Sequence, residues 1–204
     1  LLVHNACVHF FPLFLALSAS SPHWHGQDTG LASARTKVFE AMPTTGLPPH
    51  LSGWDEFNDF LDSLITAGSI ETVREVWWDV RPHPGFGTVE LRMCDATPTI
   101  REACALAALA QCIVQWCDDE MDAGRALPET REWIRRENKW RAARFGTDAD
   151  LVIDNVGHTR PLPEVINQLV ADLTPVAQRL ECVSELHDVI TILNQGASYE
   201  RQRR

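Results

Sequence analysis

The chain is short of positive charge. Its 204 residues carry 18 Lys and Arg against 28 Asp and Glu, a formal net charge of −10 with His neutral. Holding nucleic acid needs a positive surface, so that role is excluded as the main task. A local basic pocket for a small phosphorylated ligand is not. Glycine (11) and proline (12) are too few for a collagen-like or linker protein. There is no long apolar run. The stretch Phe10–Ala19 is too short for a bilayer, which takes about 20 apolar residues. No Lys or Arg precedes it, as a signal segment would require, so it reads as a buried helix after Pro12. The six cysteines, Cys7, Cys94, Cys104, Cys112, Cys117 and Cys182, include no C-x-x-C and no zinc spacing. They read as reduced, mostly buried thiols, with Cys104, Cys112 and Cys117 acting as small hydrophobes in one apolar stretch. Reduced thiols in turn imply a cytoplasmic compartment. P-loop, dinucleotide-binding and hydrolase-elbow motifs are all missing.

What is present is an ordinary globular composition, 45% hydrophobic and 23% charged, enough apolar material for one domain. The sequence predicts an apolar helix over 12–20 and a turn-rich loop over 21–30. A helical stretch over 31–41 carries Arg35 and Lys37. Residues 42–49 extend or turn at their prolines. Ser52 reads as the N-cap of a helix over 54–67, whose Trp54, Phe57, Phe60, Leu61, Leu64 and Ile65 recur at helical spacing. Gly68 ends it. Residues 74–82 and 87–95 alternate as strands do, around the turn His83-Pro84-Gly85-Phe86-Gly87. Helices follow over 99–118, 128–145, 163–181 and 184–194.

The predicted hairpin carries the chemistry. Alternate side chains of a strand share a face, and so do directly opposed residues. Keeping apolar residues together places Asp79, Arg81, Glu90 and Arg92 on one side and Val80, Val89 and Leu91 on the other. Two readings remain open for the charged face. It is either a solvated surface with weak cross-strand ion pairs, or a site floor whose carboxylates hold metal and whose guanidinium groups hold phosphate or carboxylate.

Other candidates are weaker. His23 and His25 could meet a metal but read as loop residues. Asp118-Asp119-Glu120 lies at a helix end, where consecutive side chains diverge, and reads as a solvated terminus. The helix over 128–145 carries Trp133, Ile134, Trp140 and Phe145 on one side. Its Arg131, Arg135, Arg136, Lys139, Arg141 and Arg144 read as a solvent face.

Several separated motifs carry a family resemblance. They are Leu15-Ala16-Leu17-Ser18-Ala19-Ser20-Ser21-Pro22 with Trp24, Gly26, Asp28-Thr29-Gly30 and Ser33-x-Arg35, then Pro43-Thr44-x-Gly46-Leu47-Pro48-Pro49. Next come Trp77-Trp78-Asp79-Val80-Arg81-Pro82-His83-Pro84 with Gly87-Thr88-Val89-Glu90-Leu91-Arg92. Asn138-x-Trp140-x-Ala142-x-Arg144-x-Gly146 and Gly196-Ala197-Ser198-x-x-Arg201-Gln202-Arg203 complete the series. In this order they resemble the carboxylate–amine ligases of the glutamate–cysteine ligase type 2-like family, from about residue 13 to the end.

The resemblance implies an α+β fold similar to glutamine synthetase, with a curved antiparallel sheet backed by helices. It implies ATP, Mg²⁺ or Mn²⁺, a carboxylate substrate such as glutamate, an amine such as cysteine, and an acyl-phosphate intermediate. Carried over by motif, Glu90 is the expected metal ligand, and Arg81 and Arg92 act with it in catalysis. Arg35 and Asp79 are the expected substrate or ATP binders, with Arg201 and Arg203 closing the site from the tail. The family places further acidic and histidine-bearing strands ahead of this region, and residues 1–12 do not resemble them. The chain is therefore expected to be a single incomplete domain, a fragment that binds metal–ATP poorly and is nearly inactive alone. Self-association through an open sheet edge is also expected. The competing reading is a non-catalytic remnant, or a module that binds an amino acid or a partner.

Overall fold

The computed structural model describes residues 1–204. Helix α1 spans Leu2–Ser18 with Pro12 inside it, so the apolar helix begins well before the proline. Nearly all of it is buried, which a helix apolar on every side requires. It packs against α4 (Ile100–Asp122), α5 (Glu132–Phe145) and the hairpin of β5 (Val80–His83) and β6 (Thr88–Leu91). His4 ties it to the hairpin. The ring is fully buried, its Nε2 lies 3.1 Å from the Val80 carbonyl, and burial lowers its pKa.

The loop after α1 forms a small ribbon of β1 (His23–Trp24) and β2 (Gln27–Asp28). His25 and Gly26 take φ of 49° and 76° between them, the left-handed pair of a tight hairpin turn. Helix α2 is only Ala34–Phe39, shorter than predicted, capped by Ser33, whose hydroxyl accepts from the Thr36 N–H. After β3 (Thr45–Gly46) comes α3 (Trp54–Thr66). Its N-cap is Gly53, not Ser52. Ser52 instead donates from N and Oγ to the Glu56 carboxylate, both at 2.7 Å. Phe57 of α3 anchors a small second core with Leu51, Ile70, Val76 and Trp78.

The elements make an α+β chain, with short strands among the helices. The strands make four separate two-stranded pieces, and the pair of β3 with β4 (Trp77–Trp78) is parallel. Between β4 and β5 the change of partner falls at Asp79. Its N–H donates to the Gly46 carbonyl at 2.7 Å, while its own carbonyl accepts from the Arg92 N–H at 2.7 Å. The segment thus changes partner at Asp79, from β3 on one side to β6 on the other.

Thr99 caps α4 by accepting from the Glu102 N–H. Beyond α5 come β7 (Asp150–Val152), β8 (Thr159–Pro161), α6 (Leu162–Arg179), α7 (Val183–Gln195) and α8 (Ser198–Arg203). The main core joins α1, α4, α6, α7 and the hairpin. Two expectations fail here. Trp133, Trp140 and Phe145 of α5 are exposed, and the buried face is Ile134, Asn138, Lys139, Ala142 and Ala143. Cys104 is exposed, whereas Cys112 and Cys117 are core residues.

Gly146 closes α5 at φ 57°, and a Cβ there would sit 2.3 Å from the Tyr199 ring. That ring is pinned because its hydroxyl donates to the Phe145 carbonyl at 3.0 Å. Gly146→Ala combines left-handed backbone with a ring clash, so it should cost about 2–4 kcal/mol in urea unfolding.

The β7–β8 turn predicts a pH effect. Asp154 accepts from the His158 ring and from the N–H groups of Val156, Gly157 and His158. These bonds, the His158 ring first, hold its carboxyl down to about 2 from an ordinary 3.8. A folded value below the unfolded one means full support of the turn above the ordinary carboxylate range. That support is lost as pH falls through about 2. A carboxyl NMR titration should show the depressed midpoint, and His158→Ala should raise it.

Candidate functional site

The hairpin register pairs Arg81 with Glu90 and Val80 with Leu91, the parity expected from the sequence. Glu90 accepts from Arg81 Nη2 at 2.6 Å, and its two oxygens receive Arg92 Nη2 at 2.7 and 2.8 Å. One carboxylate thus sits between two guanidinium groups. The three side chains are graded in exposure, 7% for Arg81, 24% for Arg92 and 38% for Glu90. Arg81 is the fixed end. Its Nη1 donates to the carbonyls of Val73, Arg74 and Val76 at 2.9, 2.9 and 3.1 Å, in and just after the 3₁₀ turn Val73–Glu75.

Three buried nitrogen atoms of the hairpin have no protein partner: Arg81 Nε, Arg92 Nε and His83 Nδ1. Two are guanidinium donors, suited to phosphate or carboxylate oxygens. The cluster therefore fits an anion. It does not fit a divalent cation by itself. Both Glu90 oxygens face guanidinium groups, and no three His, Cys, Asp or Glu residues gather for a metal.

Arg35 abuts the cluster through the backbone. Its guanidinium donates to the carbonyls of Arg92 at 3.2 Å and Met93 at 3.3 Å, beside Asp95 at 3.6 Å. Asp79 turns away instead, to the buried ammonium of Lys139. Arg201 and Arg203 do not reach the hairpin charges. Arg201 pairs with Glu102 and donates to the Gly196 carbonyl at 2.5 Å. Arg203 grips Asp28 at 2.7 and 2.9 Å and lies over the Tyr199 ring. Both fasten the tail to the body of the chain. His23 and His25 are exposed, and Asp119 and Glu120 pair with Arg179 and Arg125, as a solvated helix end should.

The model of glutamate-cysteine ligase family 2 matches residues 2–204. The chain belongs to that family. The match takes in residues 2–12, which the motifs alone had left outside. The chain is 56% identical over 199 residues to a Frankia casuarinae protein provisionally named glutamate–cysteine ligase 2-1, covering 98% of this chain and 52% of that protein. It is 55% identical over 201 residues to a Frankia alni protein with the same provisional name, covering 98% and 53%. A Thermobifida fusca protein, provisionally glutamate–cysteine ligase 2, is 51% identical over 199 residues, covering 98% and 50%. The chain thus spans about half the length of the curated relatives it matches.

Within this family member, two residues that sequence reasoning passed over organise the site. Lys139, one of two lysines in the chain, was read as solvent-facing. Its side chain is 3% exposed, bridging Asp79 and Glu40, the latter at 2.7 Å. The readable signal was Ala142-Ala143, small residues that mark a close-packed face one turn on. Burial pushes the Asp79 carboxyl up, against the pull of Lys139. Burial also acts to raise Glu40, but Lys139 and Lys37 outweigh it and hold that carboxyl below its usual range. The second residue is Asp95, buried just past β6. It accepts from Ser20 N at 2.9 Å, Ser21 Oγ at 2.7 Å and Ser33 Oγ at 3.1 Å, while its N–H donates to Ser18 Oγ at 3.2 Å. The serine-rich motif resembling the family is therefore a carboxylate-binding loop for the chain's own aspartate.

Lys139→Ala would leave Asp79 buried without its partner. It should cost about 3–5 kcal/mol in denaturant unfolding. Lys139→Met combined with Asp79→Asn should recover most of that loss.

Proposed function

We propose that this chain forms the hairpin floor of an ATP-dependent carboxylate–amine ligase, with glutamate as the carboxylate and cysteine as a candidate amine. The observation that carries the reading is the Arg81–Glu90–Arg92 cluster, with two guanidinium Nε atoms lacking a protein partner. Family membership supports it. A glutamine synthetase-like domain is the fold this reading implies. Six free cysteines agree with a cytoplasmic location.

In such a reaction the carboxylate takes the terminal phosphoryl group of ATP, and the amine then displaces phosphate from the acyl phosphate. The phosphoryl oxygens gain charge that a fixed cation can stabilise. Arg81, locked by three carbonyls, holds Glu90, and Glu90 orients Arg92. The half-exposed Arg92 is then the group that meets the oxygens, with Arg35 beside it. Because the cation is oriented before substrate arrives, little reorganisation is needed. The divalent metal such ligases use, Mg²⁺ or Mn²⁺, has no complete donor set in this chain. Glu90 would be one ligand among others from the half of the relatives that this chain does not span.

The two unpartnered guanidinium Nε atoms would equally serve a second reading, a module that binds an amino acid or partner without turnover. The two separate cleanly in the natural protein carrying this chain. The ligase should form ADP and an amide only when ATP, divalent metal, glutamate and amine are all present. Arg92→Ala should lower kcat/KM by about 10²-fold or more. Product without ATP, or full activity with Arg81→Ala and Glu90→Gln combined, would overturn the ligase. Amino-acid binding without ADP would establish the module.

A further inference from the structure

Two thiols away from the hairpin stand close enough to react with each other. Cys112 lies in the middle of α4, and Cys182 in the short link between α6 and α7. Their sulfur atoms are 3.7 Å apart, although 70 positions separate them in sequence. The other cysteines make no such contact. Cys94 lies against the Met93 sulfur at 3.9 Å, Cys104 is exposed, and Cys7 and Cys117 are buried in the main core.

A disulfide holds its sulfurs at about 2.0 Å, so the gap closes by side-chain rotation and a small shift of the link. That link is not held in regular helix. Glu181 takes φ 56°, and Cys182 is non-helical at φ −125° and ψ 30°. The two thiols also differ in access. Cys182 is half-buried, whereas Cys112 is fully buried behind it. An external reagent therefore meets Cys182 first, and Cys112 is placed to resolve the product.

We propose that Cys112 and Cys182 are a redox modification site, oxidised to an intramolecular disulfide by small-molecule disulfides. In the first step the Cys182 thiolate attacks one sulfur of the reagent. The reagent's S–S bond breaks, and one small thiolate leaves. In the second, the Cys112 thiolate attacks Cys182 Sγ in the mixed disulfide and expels the second small thiolate. The protein loses two electrons and two protons, and the reagent is reduced to two thiols. Cys112 is fully buried, and burial pushes its thiol up, so the second step is the slower one. The bond would tie α4 to the α6–α7 link and close a long loop, which restricts the unfolded chain.

The test incubates the purified natural protein with oxidised glutathione, blocks free thiols with iodoacetamide, and maps the peptides by mass spectrometry. The expected product is a Cys112–Cys182 peptide pair lighter by two hydrogens than the reduced pair. It should be reversed by dithiothreitol, and the unfolding midpoint should rise by about 5–10 °C. In Cys112→Ala, Cys182 should retain one glutathione and the midpoint should not rise. Alkylation of both residues after equilibration would overturn the proposal. So would a mixed disulfide that stays on Cys182 in the unmodified sequence, or pairing of either residue with another cysteine. If the variant does not fold, the peptide map of the unmodified sequence decides alone.

Discussion

The buried ammonium of Lys139 between Asp79 and Glu40 is the constraint on which the site depends. Asp79 stands where the chain leaves β3 and joins β6, and its backbone bonds in both directions. A free carboxylate could not occupy that junction, since an unpaired buried charge costs several kcal/mol. Lys139 makes the position tolerable, and α5 brings it there. The angle of the hairpin, and hence the placement of Arg81, Glu90 and Arg92, follows from a charge supplied from 60 positions further along the chain.

A second buried carboxylate does the same service beyond β6. Asp95 collects donors from Ser20, Ser21 and Ser33, and so binds the end of α1 and the start of α2 to the strand that carries Arg92. Ser20 in turn meets Ser198 of α8 at 2.7 Å, linking the tail to the same hub. The charged cluster is thus framed by two aspartates whose partners are all internal. At Arg92 and Glu90, and at Arg35 beside them, the polar network opens toward solvent. Rigidity behind and exposure in front is the arrangement that lets an arginine act on an incoming anion without first moving.

Much of this was legible locally. The hairpin parity followed from alternation and its turn, because a one-residue slip would have mixed charge into the apolar face. Helix positions followed from apolar spacing. Thr99 and Gly68 marked ends as expected. Local rules failed where a distant group intervened. Pro12 stays inside α1 because the surrounding core holds the helix on both sides. The Trp and Phe residues of α5 lost the buried face to smaller side chains that admit close packing. The first predicted strand changed partner at Asp79, where its backbone meets Gly46 on one side and Arg92 on the other.

The sequence by itself determined the family, the presence of most helices and of the hairpin, and the shared face of Arg81, Glu90 and Arg92. These depend on periods of two and 3.6 residues and on motif order, all local properties of a chain. The tertiary structure alone decided which charge meets which. Arg201 and Arg203 chose Glu102 and Asp28 instead of the site, Asp79 chose Lys139, and Glu90 took both hairpin arginines. A periodic pattern states the face on which a side chain lies. It carries no information about which distant element will lie against that face, and for an ionised group in a low-dielectric interior the nearest opposite charge decides.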